Sequence, residues 1–259
     1  MEAKEKFLEY ANRYDRSDSK VELKVIHTMA VADIMERLTC ALGLSEHTRQ
    51  LAHLCAVYHD IGRFEQLRRY DTFLDNKSID HADLGCEILK EEKLLEQLPQ
   101  EEQERILAAV KNHNKLRIED GLDDETMLLC RLIRDADKCD IFRVFATEDS
   151  KDTSDAAIED IAGETISDAV FKSILDHRCV NRDDRVTGLD IWVSFLAFFY
   201  DLNFKESLDL LMKNRYYRKP FESVTFTNPE TVRRLGIIFA EVEGYAEKRL
   251  KEGKGCEYG

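Results

Sequence analysis

Residues 56–64 read AVYHDIGRF, and the reading of the rest of the chain turns on the pair His59-Asp60 inside this stretch. A histidine beside an aspartate in an apolar run is either a buried polar pair at a helix end or part of a metal site. A metal site needs more ligands than two, so the others must be sought elsewhere in the sequence.

The chain around the pair has helical periodicity. Only 11 Gly and 3 Pro in 259 residues leave few turn positions. The pattern predicts helices over 2–13 and 19–42, the second stopped by Gly43. A third follows over 46–61, with Ser45 as N-cap and its end before Gly62. The stretch 62–79 has weak periodicity and reads as a long loop, a kind that often carries function. Further helices are expected at about 80–97, 100–115 and 122–147, then near 154–178, 187–212 and 228–251. No strand alternation, internal repeat or low-complexity tract is visible, so the fold class is all-α. The sequence turns polar at 149–155, DSKDTSD. That divides the chain into a helical domain over 1–149 and a C-terminal helical extension over 150–259, expected to pack on the first part. The tail KEGKGCEYG is expected to fray.

Composition narrows the function. Hydrophobic residues at 43% suffice for a core. The net charge of −14 disfavours a nucleic-acid polymer as partner. A small phosphorylated substrate is still compatible, because local Arg and Lys or a metal override the global field. The seven cysteines (40, 55, 86, 130, 139, 179, 256) form no CxxC pair. Their odd number and apolar neighbours suit reduced core thiols in a cytoplasmic protein. The start MEAKEKFLEYANRYD has no apolar signal core. The longest apolar run, IWVSFLAFFY at 191–200, falls short of the ~20 residues a membrane span needs. It reads as core or as the interface of a homo-oligomer.

Helix faces identify the other polar residues of interest. His27 lies on a stripe with Ala30, Val31, Ile34 and Leu38. His59 aligns with Leu51, Leu54, Cys55 and Tyr58, and Asp60 follows it. His81 opens a helix whose inner face is Leu84, Gly85 and Ile88. His113 follows Ile106, Ala109 and Val110; Asp137 follows Leu129, Ile133 and Ala136. The four histidines and Asp137 therefore each point toward an apolar face. One such histidine is an ordinary hydrogen-bonded core residue. Four histidines and two aspartates in one core need something to pair them, because buried charges are paired or coordinate metal. Imidazole with carboxylate suits divalent ions such as Mn, Fe, Co, Ni, Zn or Mg.

The order His27, then His59-Asp60 within HDIGR, then Asp137 within DADKCD, resembles the HD-domain metal-dependent phosphohydrolase superfamily. The resemblance covers roughly 20–145. It implies a helical bundle in which these four residues hold one divalent metal. It also implies that Asp60 can bridge a second metal, with His81 in DHADLG and His113 in KNHNK as its further ligands. The glycine-tyrosine-proline motif of the cyclic-di-GMP-cleaving branch is absent, which disfavours that branch. No appended nucleotide-synthetase domain is read, which tells against the large ppGpp enzymes.

The chemistry expected is metal-activated hydrolysis of a small phosphoester, a phosphomonoester or a nucleotide. Arg63, three residues after Asp60, and Lys138, next to Asp137, match positions that are commonly basic in the family. They are the candidate phosphate-binding cations, and Asp60 and Arg63 the catalytic pair. Arg68 and Arg69 are weaker candidates. NRYYRKP at 214–220 reads as a solvated helix end, and His47, His53 and His177 as outside the site. Two other readings compete: an HD-type di-iron oxygenase using the same six ligands, and a non-catalytic nucleotide-binding sensor.

Overall fold

The structure, a computed structural model, describes residues 2–148 and 161–252, and among them it contains helices and no strand. It divides into two compact units, Met1–Asp140 and Ile141–Gly259. The boundary expected at 149–155 lies outside the described residues, as does most of the tail.

The first unit holds α1 (Glu2–Ala11), α2 (Ser19–Ala41), α3 (Glu46–Tyr58), α4 (Gly62–Tyr70), α5 (His81–Glu91) and α6 (Gln100–Asn112). It also holds α7 (Asp124–Thr147) as far as Asp140. Three of the helix starts carry side-chain caps, that of Ser45 as the sequence suggests. Asp18 accepts from Lys20 N, Ser45 from Thr48 N, and Asp80 from Ala82 N and Asp83 N. Gly43 ends α2 with φ 65, a left-handed value that glycine adopts without strain. α2 packs on α3, α3 on α6, and α5 on both α4 and α6. Phe7, Met35, Tyr58, Phe64, Leu84, Ile106 and Leu129 are among the largest fully buried side chains of this unit's core.

Residues 62–79 are not the long loop expected. They contain α4 and a single 3-10 turn at Asp75–Lys77. Phe64 and Leu67 bury one face of α4. Glu65 is buried because Tyr14, Arg68 and Arg69 all donate to it, at 3.0, 2.6 and 2.5 Å. That ion-paired cluster diluted the apolar signal. It also takes Arg68 and Arg69 out of the list of substrate cations. Gly62 is likewise not a helix stop but the first residue of α4. A Cβ there would stand 2.1 Å from the His81 carbonyl oxygen and 2.7 Å from Gly85 N. Only glycine lets the starts of α4 and α5 approach so closely. α5 ends at Glu91 rather than 97, with Lys93 at φ 54.

The second unit holds α8 (Asp168–Leu175), α9 (Gly188–Leu196), α10 (Lys205–Asn214), α11 (Lys219–Glu222) and α12 (Pro229–Lys251). Of the helix expected over 154–178, residues 154–160 lie outside the described residues and 161–167 form no α-helix. The backbone of 161–167 bonds elsewhere. Thr231 Oγ1 donates to Glu164 O at 2.7 Å, Arg234 to Ile166 O at 2.9 Å, and Ser167 N to Asp190 Oδ1 at 2.8 Å. The helix expected over 187–212 is broken by a 3-10 segment at Ala197–Tyr200. The break places Phe199 against Phe142 and Tyr217, with ring centroids 5.9 and 5.0 Å apart. Trp192 is buried in this unit, so the run 191–200 is largely core. Cys55, Cys130 and Cys139 are buried, while Cys40 is exposed. No helix among the described residues is long and apolar enough to cross a membrane.

Candidate metal centre

All six ligands expected from the sequence come together inside the first unit. His27 projects from the middle of α2 and Asp137 from α7, while the other four sit at helix ends. His59 caps the C-terminus of α3, and Asp60 lies in the sharp turn before α4. His81 is the first residue of α5, and His113 caps the C-terminus of α6. The end of α6 is pinned by Arg134, which donates to the carbonyls of Asn112, His113 and Lys115 at 3.0, 3.4 and 2.5 Å.

Asp60 is the centre of the arrangement. Its Oδ2 lies 3.8 Å from both His27 Nε2 and His59 Nε2. Its Oδ1 lies 3.3 Å from His81 Nε2 and 3.6 Å from His113 Nε2. Asp137 Oδ1 joins the first pair, 3.1 Å from His27 Nε2 and 3.7 Å from His59 Nε2. The two groups His27–His59–Asp60 and Asp60–His81–His113 each could hold a metal ion and are buried throughout. They share Asp60.

The other ring nitrogens fix which atom faces inward. His59 Nδ1 donates to Ala56 O at 2.8 Å, and His113 Nδ1 to Val110 O at 2.6 Å. A carbonyl only accepts, so in each neutral ring the proton is on Nδ1 and the lone pair on Nε2. His27 Nδ1 meets Asp140 Oδ2 at 2.7 Å, and His81 Nδ1 meets both Asp75 oxygens at 2.8 and 2.9 Å. All four inner atoms are therefore Nε2. They crowd in pairs, His27–His59 at 3.4 Å and His81–His113 at 3.0 Å. Two facing lone pairs repel unless a proton or a cation lies between them. The donor set thus fits a divalent ion in either half.

Electrostatics agree. Burial pushes the His59 imidazolium pKa down to about 4, leaving a neutral ligand at pH 7. Burial also lowers His81, and Arg63 adds to the effect. His27 differs: burial opposes its charged form, yet Asp137 and Asp140 raise it to about 9. Burial works against ionised Asp60 and Asp137, but Lys24 and the imidazoles around Asp60, and the imidazoles around Asp137, hold both carboxyls below their usual range.

The candidate cations divide. Arg63 is close, its Nε 3.5 Å from Asp60 Oδ1, with Nη1 donating to Phe73 O at 2.6 Å and Gln66 Oε1 at 2.9 Å. Lys138 is buried beside Asp137, with Nζ 3.5 Å from Arg134 O. Lys24, which the sequence reading passed over, donates to Asp60 Oδ2 at 2.9 Å and lies over the Phe73 ring. Its position three residues before His27, on the same face of α2, was a usable signal. The carboxylates Asp75 and Asp140 were also missed. Asp140 lies one turn beyond Asp137 and was open to the same argument, whereas Asp75 sits in a turn with no periodicity. His47 pairs with Glu102 at 3.4 Å, and His177 with Glu241 at 2.7 Å in the second unit.

The HD domain family model matches residues 25–141, which includes His27, His59, Asp60, His81, His113 and Asp137. The match spans a little under half of the chain and places an HD domain in its first unit. No match was found among curated proteins or among solved structures.

Proposed function

We propose that this chain is a divalent-metal-dependent phosphohydrolase acting on a small phosphoester, a phosphomonoester or a nucleotide. The observation that carries this reading is the division of Asp60, one oxygen toward His27 and His59 and the other toward His81 and His113. His27, His59, Asp60 and Asp137 would hold one ion, and Asp60, His81 and His113 a second. Such ions lower the pKa of bound water toward ~7 and, as a pair ~3.5–4 Å apart, stabilise both attacking and leaving oxygens.

The chain's own residues supply the remainder. Lys24 and Arg63 flank Asp60, one near each oxygen. They place positive charge where a phosphoryl group would approach. Arg63 Nε is buried and has no hydrogen-bond partner among the described residues, so it keeps a donor for a phosphoryl oxygen. Lys138, next to Asp137 in the sequence, is a further buried cation of this unit. Burial of the ligands excludes bulk water and strengthens each of these interactions. It suits a small substrate better than a polymer. The free cysteines suit a reducing cytoplasm.

The test is phosphate release from a panel of phosphomonoesters and nucleotides, with protein reconstituted separately with Mn, Fe, Co, Ni, Zn or Mg. Turnover that needs the metal and is lost in His59→Ala supports the proposal. Iron-dependent O₂ consumption without phosphate release, or ligand-induced melting shifts without turnover, would overturn it.

A further inference from the structure

Each inward-facing imidazole needs an acceptor on its outer nitrogen, and the chain meets this need in two ways. His59 and His113 close the C-termini of α3 and α6, so each reaches the carbonyl three residues back in its own helix. His81 is the first residue of α5 and has no preceding helical turn. Its acceptor must come from elsewhere. Asp75, in the 3-10 turn between α4 and α5, provides it with both oxygens, at 2.8 and 2.9 Å.

Asp75 is itself held on several sides. Gln66 Nε2 donates to it at 2.9 Å, Arg63 Nη1 at 3.2 Å and Asn114 Nδ2 at 3.3 Å. Gln66 is further anchored to Ser78 Oγ and Ile79 O, both at 2.9 Å. The turn is thereby tied to α4 on one side and to the residue after His113 on the other. A carboxylate acceptor makes the imidazole a stronger donor at its far nitrogen than a carbonyl does, and it fixes both tautomer and ring orientation.

We propose that Asp75 is the positioning residue of the His81–His113 half of the centre, keeping the proton on His81 Nδ1 and aiming Nε2 at Asp60 Oδ1. The ion in that half is then set by Asp75, independently of Asp140, which does the same for His27. This rests on the two-metal reading above and adds to it which half each outer carboxylate governs. Because Asp75 also holds Arg63, loss of its charge loosens a substrate cation together with the second ion.

The experiment is titration of chelator-stripped protein with Co²⁺, counting equivalents and reading their affinities from the visible absorption of each site. Wild type is expected to take up two equivalents. Asp75→Asn keeps the shape but not the charge. It is expected to retain one equivalent at wild-type affinity and to bind the other about 10–100-fold more weakly. The retained equivalent reports that the variant is folded. The double variant Asp75→Asn with His81→Ala should bind no more weakly than His81→Ala alone, because Asp75 acts through His81. Two equivalents of unchanged affinity in Asp75→Asn would overturn the proposal while leaving the two-metal reading intact. Loss of both equivalents would also overturn it, since the carboxylate would then serve the whole centre. One equivalent or none in wild type would instead remove the two-metal reading itself, and the proposal with it.

Discussion

At the scale of the residue, His27 carries the clearest pH dependence. In the metal-free chain its imidazolium lies between Asp137 and Asp140. Its pKa is raised from 6.5 to about 9: burial opposes the charge, and the two carboxylates overcome it. The stability this adds is fully present below 6.5 and is lost as pH rises through about 9. A metal ion must displace that proton. Affinity of the His27–His59 half should therefore rise with pH, by up to about tenfold per pH unit below 9, and level off above. Calorimetric titration in buffers of different ionisation enthalpy should show close to one proton released per ion at neutral pH. A dissociation constant that stays flat between pH 7 and 9 would contradict the assignment. Lys24 gives a second prediction. Lys24→Met should lower turnover on the order of 10²-fold, as removal of a preorganised donor does, while elemental analysis finds the metal content unchanged. Five of the six residues of the cluster were legible in the sequence because each fell in register with apolar neighbours one turn away, and Asp60 because it adjoins His59. Lys24 shares a face of α2 with His27 but was passed over, because a lysine on an amphipathic helix reads as solvated and its partner lies 36 residues along the chain.

At the scale of the element, the site depends on how closely α4 and α5 meet. Gly62 has His81 O where a Cβ would be, at 2.1 Å. Gly62→Ala should force the start of α5 away, costing about 1–3 kcal/mol in a denaturant melt. It should also reduce metal uptake, since His81 moves with that helix start. Wild-type metal content in a stable Gly62→Ala protein would show that the close approach does not set the site. The helix start capped by Ser45 and the stop at Gly43 were readable from sequence. The helix α4 was not, because Glu65, Arg68 and Arg69 form a local ion cluster that masks the pairing of Phe64 with Leu67. The break at Ala197–Tyr200 was hidden for the opposite reason. An unbroken apolar run carries no mark of where aromatic packing will turn the chain.

At the scale of the whole molecule, the first unit buries two groups of histidine and aspartate that could each hold a metal ion. Ions that bind only the folded state should raise its stability. At a free concentration one hundred times the dissociation constant, the gain is about 2.7 kcal/mol per independent site. Chelation should accordingly lower the melting temperature and added Mn²⁺ or Zn²⁺ restore it; a melting temperature indifferent to both would count against a bound ion. The HD domain of the first unit was legible because its ligands recur in a fixed order, whereas the second unit offered no such pattern and its break points depend on tertiary packing. The central claim is that Asp60 serves both halves at once. The most direct test is metal content per chain, by elemental analysis, in wild type beside Asp60→Ala and His81→Ala. About two equivalents in wild type, one in His81→Ala and none in Asp60→Ala is the predicted result. Wild type that stays metal-free after reconstitution, or Asp60→Ala that keeps two equivalents, would contradict it.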